Sequence, residues 1–104
     1  MDERVQRFTA AVEKNPANHL ARFSLAKALF DVGSFAEAEP HLRTLLGQQP
    51  DWMLVEILLA KCLIHAGNMA EAIRFLQHAR DSAVVQHHEG PLSEIDQMLE
   101  ELRS

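Results

Sequence analysis

Residues 25–38, LAKALFDVGSFAEA, return as residues 59–72, LAKCLIHAGNMAEA, at an offset of 34. Leu25 pairs with Leu59, Ala26 with Ala60, Leu29 with Leu63, Gly33 with Gly67, Glu37 with Glu71 and Ala38 with Ala72. Working outward, the same offset links Phe8 to Leu42 and Leu76, Ala11 to Leu45 and Ala79, and Pro16 to Pro50. A period of this length marks one supersecondary unit that cannot bury its apolar face alone and must pack against a copy of itself.

The punctuation between the matches predicts helices. Val5, Phe8, Ala11 and Val12 share one face of a helix over residues 2–15, which Asn15-Pro16 ends because proline pushes the preceding residue out of the helical region. Asn18 is placed to cap a helix over 19–32, with Gly33 as its left-handed stop. Ser34-Phe35-Ala36-Glu37 has the form of a capping box and opens a helix to about Leu46, closed by Gly47 and Pro50. In the second unit Asp51 caps residues 52–66, Gly67 stops them, and Asn68-Met69-Ala70-Glu71 opens a long helix to His88, ended by Gly90-Pro91. A last helix over 92–103 carries Leu92, Ile95, Met98, Leu99 and Leu102 on one side and Glu94, Asp96, Glu100 and Glu101 on the other. Pro40 is the irregular element. It falls inside a predicted helix, so that helix must either bend or start late.

The expected packing follows from residue size. Ala26, Ala38, Ala60 and Ala72 stand where paired helices approach closely, while Leu25, Leu29, Leu42, Leu59, Leu63 and Leu76 fill the flanking space. The chain is thus expected to be one all-α domain of about six helices over residues 1–104. Its parts are a leading half-repeat helix (1–16), a first repeat (17–50), a second repeat (51–84) and a C-terminal capping helix (91–104).

A leucine-alanine pair, then glycine, Glu-Ala and proline on a 34-residue period resembles the tetratricopeptide repeat, in its small bacterial form. The resemblance implies antiparallel helix-turn-helix units stacked as a short right-handed α-solenoid. It also implies a non-enzymatic adaptor whose first helices line a concave face for a partner peptide or helix. Alignment on the leucine-alanine pair places Leu20, Phe23, Lys27, Phe30 and Asp31 on that face in the first unit, and Leu54, Ile57, Lys61, Ile64 and His65 in the second. An apolar strip with lysines in its middle suits the apolar side of an amphipathic helix, the lysines meeting acidic residues of the partner.

The alternative is self-association: two full repeats are fewer than the roughly three usual for a stable stack, so a second copy or the chain's own C-terminal helix would fill the face. Some members of the family clamp the C-terminal carboxylate of heat-shock chaperones with lysine, asparagine and arginine. Phe23, Lys27 and Leu58 stand where two of those repeats would supply such donors, so a free carboxylate has no bidentate seat. The stretch from Glu13-Lys14-Asn15-Pro16 through Gly33 is also similar to repeats appended to some bacterial thioredoxin-like chaperones. The chain has no Cys-x-x-Cys, so no redox chemistry is carried over.

Composition narrows the classes further. Hydrophobic residues make up 47% and charged residues 24%, the balance of an ordinary globular chain. The net charge is −5 with scattered Lys and Arg, which provides no basic stripe for nucleic acid or an acidic membrane surface. No stretch approaches the ~20 apolar residues of a membrane span. The charged first fifteen residues and the lone Cys62 lead us to expect a cytoplasmic protein.

His87-His88-Glu89 is the densest cluster of metal-ligating types, with His78 upstream. Adjacent histidines on a helix point about 100° apart, and no pair has zinc-ligand spacing. Cys62 reads as a small core residue, and His41 and His78 as partly buried side chains with satisfied ring nitrogens. The carboxylates read as solvated outer-face residues. With no nucleophile-base pair and no glycine-rich phosphate loop, no catalytic, cofactor or metal residue is expected.

Overall fold

The computed structural model describes residues 2–103. Among them lie six helices and no strand: α1 (Glu3–Lys14), α2 (His19–Asp31), α3 (Phe35–Gln48), α4 (Met53–His65), α5 (Met69–Gln86) and α6 (Glu89–Arg103). None is long and apolar enough to cross a membrane. The chain divides between Pro50 and Asp51 into two compact units. In the first, α1 and α3 pack on α2; in the second, α4 and α6 pack on α5.

In the first unit Asp2 starts α1, its Oδ1 accepting from the N–H groups of Arg4 (2.7 Å) and Val5 (3.3 Å). Asn18 caps α2 as expected, accepting from Leu20 (3.0 Å) and Ala21 (3.2 Å). Leu25, Ala26, Ala28, Leu29, Ala38, Leu42 and Leu45 are buried, with Val5 and Val12 of α1 added to them. The small residues sit where the repeat places them, since Ala26 and Ala38 have no exposed surface. In the second unit Ala60 and Ala72 are equally inaccessible, beside buried Leu59, Leu63 and Leu76. Ile95 and Leu99 of α6 complete that core, and Cys62 lies within it.

Three helix ends share one backbone device. Gly33 has φ +82° and Gly67 has φ +83°, a left-handed conformation that penalises any residue with a Cβ. A Cβ at either would meet nothing within 4 Å, so glycine is required there by backbone conformation and not by space. Each helix then closes with paired bonds: Ser34 N–H to Leu29 C=O (2.8 Å) with Gly33 N–H to Phe30 C=O (3.0 Å), and Asn68 N–H to Leu63 C=O (2.8 Å) with Gly67 N–H to Ile64 C=O (3.0 Å).

The third such end corrects the expected boundary at Gly90-Pro91. His87 takes the glycine's place at φ 58°, donating to Val84 C=O (3.3 Å) while His88 donates to Ala83 C=O (2.9 Å). Gly90 and Pro91 lie in the first turn of α6, where a proline's missing N–H costs nothing because that N–H has no helical partner. His87→Gly removes a left-handed Cβ clash worth about 1–2 kcal/mol and adds unfolded-chain entropy that offsets part of it. A thermal midpoint raised by the equivalent of about 0.5–1 kcal/mol is expected; a lowered one would mean the imidazole itself holds the turn.

Other local expectations also fail. Ser34 is the N-cap of α3 but makes no capping bond, so the box with Glu37 does not form. Asn68 does cap, accepting from the Glu71 N–H (3.3 Å) and donating to the Glu71 carboxylate (3.1 Å). The N-cap of α4 is Trp52 without a side-chain bond, and not Asp51. Gly47 does not stop α3, which runs on to Gln48, where Gln49 N–H bonds Leu45 C=O (2.8 Å). Pro40 neither delays α3 nor ends it; the helix starts at Phe35 and continues through it.

Candidate functional site

The face expected to receive a partner comprises equivalent positions on α2 and α4. On α2, Leu20 is 64% exposed, and Phe23, Lys27 and Phe30 are half-buried. The Phe30 ring meets the Phe35 ring edge-on at 5.1 Å, which fixes it to the start of α3. On α4, Leu54 is 48% exposed, Lys61 and Ile64 are half-buried, and Ile57 is only 5% exposed. Leu20 and Leu54 therefore present the most accessible apolar surface of the set. Ile57 belongs to the core of the second unit.

The lysines are already engaged. Lys27 pairs with Asp31 one turn on, and Arg4 of α1 reaches the same carboxylate at 3.2 Å. The hydrogen bond from Lys27, with Arg4 adding to it, holds the Asp31 carboxyl below its ordinary range against the opposing effect of burial. In the second unit Lys61 meets Glu94 of α6 at 3.2 Å, so the last helix sends a carboxylate onto this face of α4. Such exposed pairs are worth about 0–1 kcal/mol each and give way readily to a partner's charge.

A polar pair joins the two helices of each repeat, half-buried in the first unit and with one buried member in the second. Arg22 donates to His41 Nδ1 (2.9 Å) and to Pro16 C=O (3.1 Å). A guanidinium can only donate, so Nδ1 accepts and the imidazole carries its proton on Nε2. Burial first, then the Arg22 charge, pushes the His41 pKa down. Glu56, at the position of Arg22 one repeat later, is 2% exposed; it corrects the reading of all carboxylates as outer-face residues. One carboxylate oxygen lies 2.6 Å from His78 Nδ1, while Oε1 is buried with no hydrogen-bond partner among the described residues. Burial raises its pKa, and the hydrogen bond to His78 opposes that. Asp51 stands 3.9 Å from the other His78 nitrogen. A glutamate four residues after the Trp52 cap reads in sequence as a first-turn helix charge, so nothing marked Glu56 as buried.

The two groups give pH slopes of opposite sign. His41 is harder to protonate folded than unfolded, so stability falls as pH drops below about 6.5. Glu56 holds its proton more tightly when folded, so stability falls as pH rises above about 4.5 toward its raised value. His41→Asn is expected to shrink the loss of thermal midpoint between about pH 7.5 and 5.5, and Glu56→Gln to flatten the gain in stability as pH falls toward about 4.5. Unchanged slopes in both variants would remove these residues as the source.

A model of the tetratricopeptide repeat matches residues 5–56 and 33–87. No curated protein matches the chain significantly in sequence. Among solved structures, the solution structure of BPP2914 from Bordetella parapertussis is similar at 26% identity and a TM-score of 0.82, over 99% of this chain and 90% of that one. The TPR2B domain of yeast Sti1, in its pHsp70 complex, is similar at 23% identity and a TM-score of 0.81, over 95% of this chain and 79% of that one. The TPR2AB domain of yeast Sti1, in its pHSP90 complex, gives 23% and 0.80, over 96% of this chain but 39% of that longer one. Two overlapping matches that together span residues 5–87, on a fold of paired helices, place the chain in one family: it belongs to the tetratricopeptide repeat family.

Proposed function

We propose that this chain is a non-enzymatic protein-interaction module that takes a partner peptide or amphipathic helix on the first-helix face of its repeat, presented by α2 in the first unit and by α4 in the second. The observation that carries the reading is the exposure of Leu20 and Leu54. Large apolar side chains left this accessible at matching positions of successive repeats suit a surface made for another chain. Phe23, Phe30 and Ile64, half-buried beside them, add contact area, and Lys27 and Lys61 orient acidic groups of the ligand. The similar Sti1 domains are in complexes with pHsp70 and pHSP90, which agrees with a role in binding protein segments. The mode differs from a carboxylate clamp, because Phe23 is apolar and Leu58 is buried.

The Lys61–Glu94 pair favours a second reading for part of the surface, in which α6 of the same chain occupies the α4 face. Reversing both charges, Lys27→Glu with Lys61→Glu, separates the two. As a ligand site, the variant loses affinity for an acidic partner while its stability falls by no more than the roughly 0–2 kcal/mol of two exposed ion pairs. A large loss of stability with equal loss of binding would assign the lysines to folding.

A further inference from the structure

We infer a second docking surface, on the first unit, for an amphipathic helix that carries Lys or Arg beside its apolar stripe. It is a different surface from the faces of α2 and α4 described above and does not depend on them. Because α1 and α3 both pack on α2, they leave a cleft of about 620 Å3. Its floor is apolar, formed by the nearly buried Val5, Leu25 and Leu29 beside half-buried Thr9 and exposed Ala10. That volume lies within the roughly 300–1,000 Å3 range of ligand clefts and admits a few large side chains.

What selects the occupant is charge. Glu13 of α1 and Glu37 of α3 line the cleft, both are exposed, and neither carboxylate has an ion pair or side-chain hydrogen bond among the described residues. Glu37 is uncommitted because the capping box with Ser34 does not form. His41, also in the lining, adds no positive charge, since its Nδ1 accepts from Arg22 and burial disfavours its protonated form. The Arg22 guanidinium is turned to His41 and the Pro16 carbonyl and is not part of the lining. An apolar floor with two uncompensated carboxylates is complementary to leucine-type side chains flanked by cations, whose methylene stems cover the floor while their heads reach the glutamates. The α2 and α4 faces carry lysines instead, so the two surfaces select partners of opposite charge.

The test uses the full chain and a designed peptide of about 16 residues with a leucine stripe flanked by lysines, beside a copy with every lysine replaced by glutamate. Amide NMR titration should show the lysine peptide perturbing Val5, Leu25 and Leu29. Glu13→Lys with Glu37→Lys should weaken it roughly tenfold or more and admit the glutamate peptide. Leu20→Glu with Leu54→Glu should leave its affinity unchanged. Both glutamates are exposed, so a thermal melt of the reversed variant should match the wild type. The inference fails if the lysine peptide does not bind, if charge reversal leaves its affinity intact, or if the Leu20/Leu54 variant abolishes it. A concentration-dependent dimer in sedimentation, dispersed by the glutamate variants, would also overturn it by giving the cleft to a second copy.

Discussion

Ala38→Leu and Ala72→Leu should each lower the stability by about 1–3 kcal/mol, the cost of forcing extra methylenes into a filled core. Both alanines have no exposed surface and stand at equivalent positions where the second helix of a pair meets its partner. Leucine adds three heavy atoms where the neighbours are already buried leucines, so the helices must separate or leave their rotamer minima. For a chain of this size the loss corresponds to a drop of roughly 4–12 °C in thermal midpoint. Ala36→Leu, on the exposed side of the same helix, provides the control and should change stability by less than about 0.5 kcal/mol. Similar midpoints for Ala38→Leu and Ala36→Leu would refute the close approach of α2 and α3 at this point.

Pro40→Ala should act in the opposite direction, raising stability by about 2 kcal/mol. A helix-interior proline costs ~3 kcal/mol relative to alanine, through the missing bond to the carbonyl four residues back and the ring's clash with it. Its restriction of the unfolded chain returns about 0.4–1 kcal/mol, which alanine gives up. Residue 40 is exposed, so no packing is lost in the exchange. The reciprocal change is Arg74→Pro at the equivalent position of α5, also exposed, which should destabilise by a similar amount. Thermal melts of both variants decide the matter. Equal and opposite shifts support the repeat equivalence, and a neutral Pro40→Ala would show that the backbone of α3 has already absorbed the strain.

The fold was legible because its main determinants are side-chain volume and the need for positive φ, and both leave marks in sequence. Alanines at 26, 38, 60 and 72 and glycines at 33 and 67 each fill a place that few other residues could. His87 was not legible, since nothing in an imidazole announces a left-handed backbone, and the nearby Gly90-Pro91 offered a stronger breaker signal. Capping was legible only in part. Asn18 and Asn68 bond as their types suggest, while Ser34 has the right type and spacing but does not engage its oxygen.

For the candidate site, alignment of the two repeats located Leu20 and Leu54, and the structure leaves both exposed. It could not separate them from Ile57, which has the same chemistry and spacing but is buried. Nor could it find the partners of Lys27 and Lys61. The Lys27–Asp31 pair is one helical turn and could be inferred, but Lys61–Glu94 joins α4 to α6 across 33 residues and depends on tertiary packing alone. Buried Glu56 and the Arg22–His41 bond are of the same kind: their meaning comes from the helix packed against them.

The most direct test of the central claim is affinity capture from host lysate with the wild-type chain beside a Leu20→Glu/Leu54→Glu variant. Both positions are exposed, so the variant should melt with the wild type within about 1 kcal/mol. The account predicts a specific partner retained by the wild type and lost by the variant. Equal capture by both proteins would contradict it.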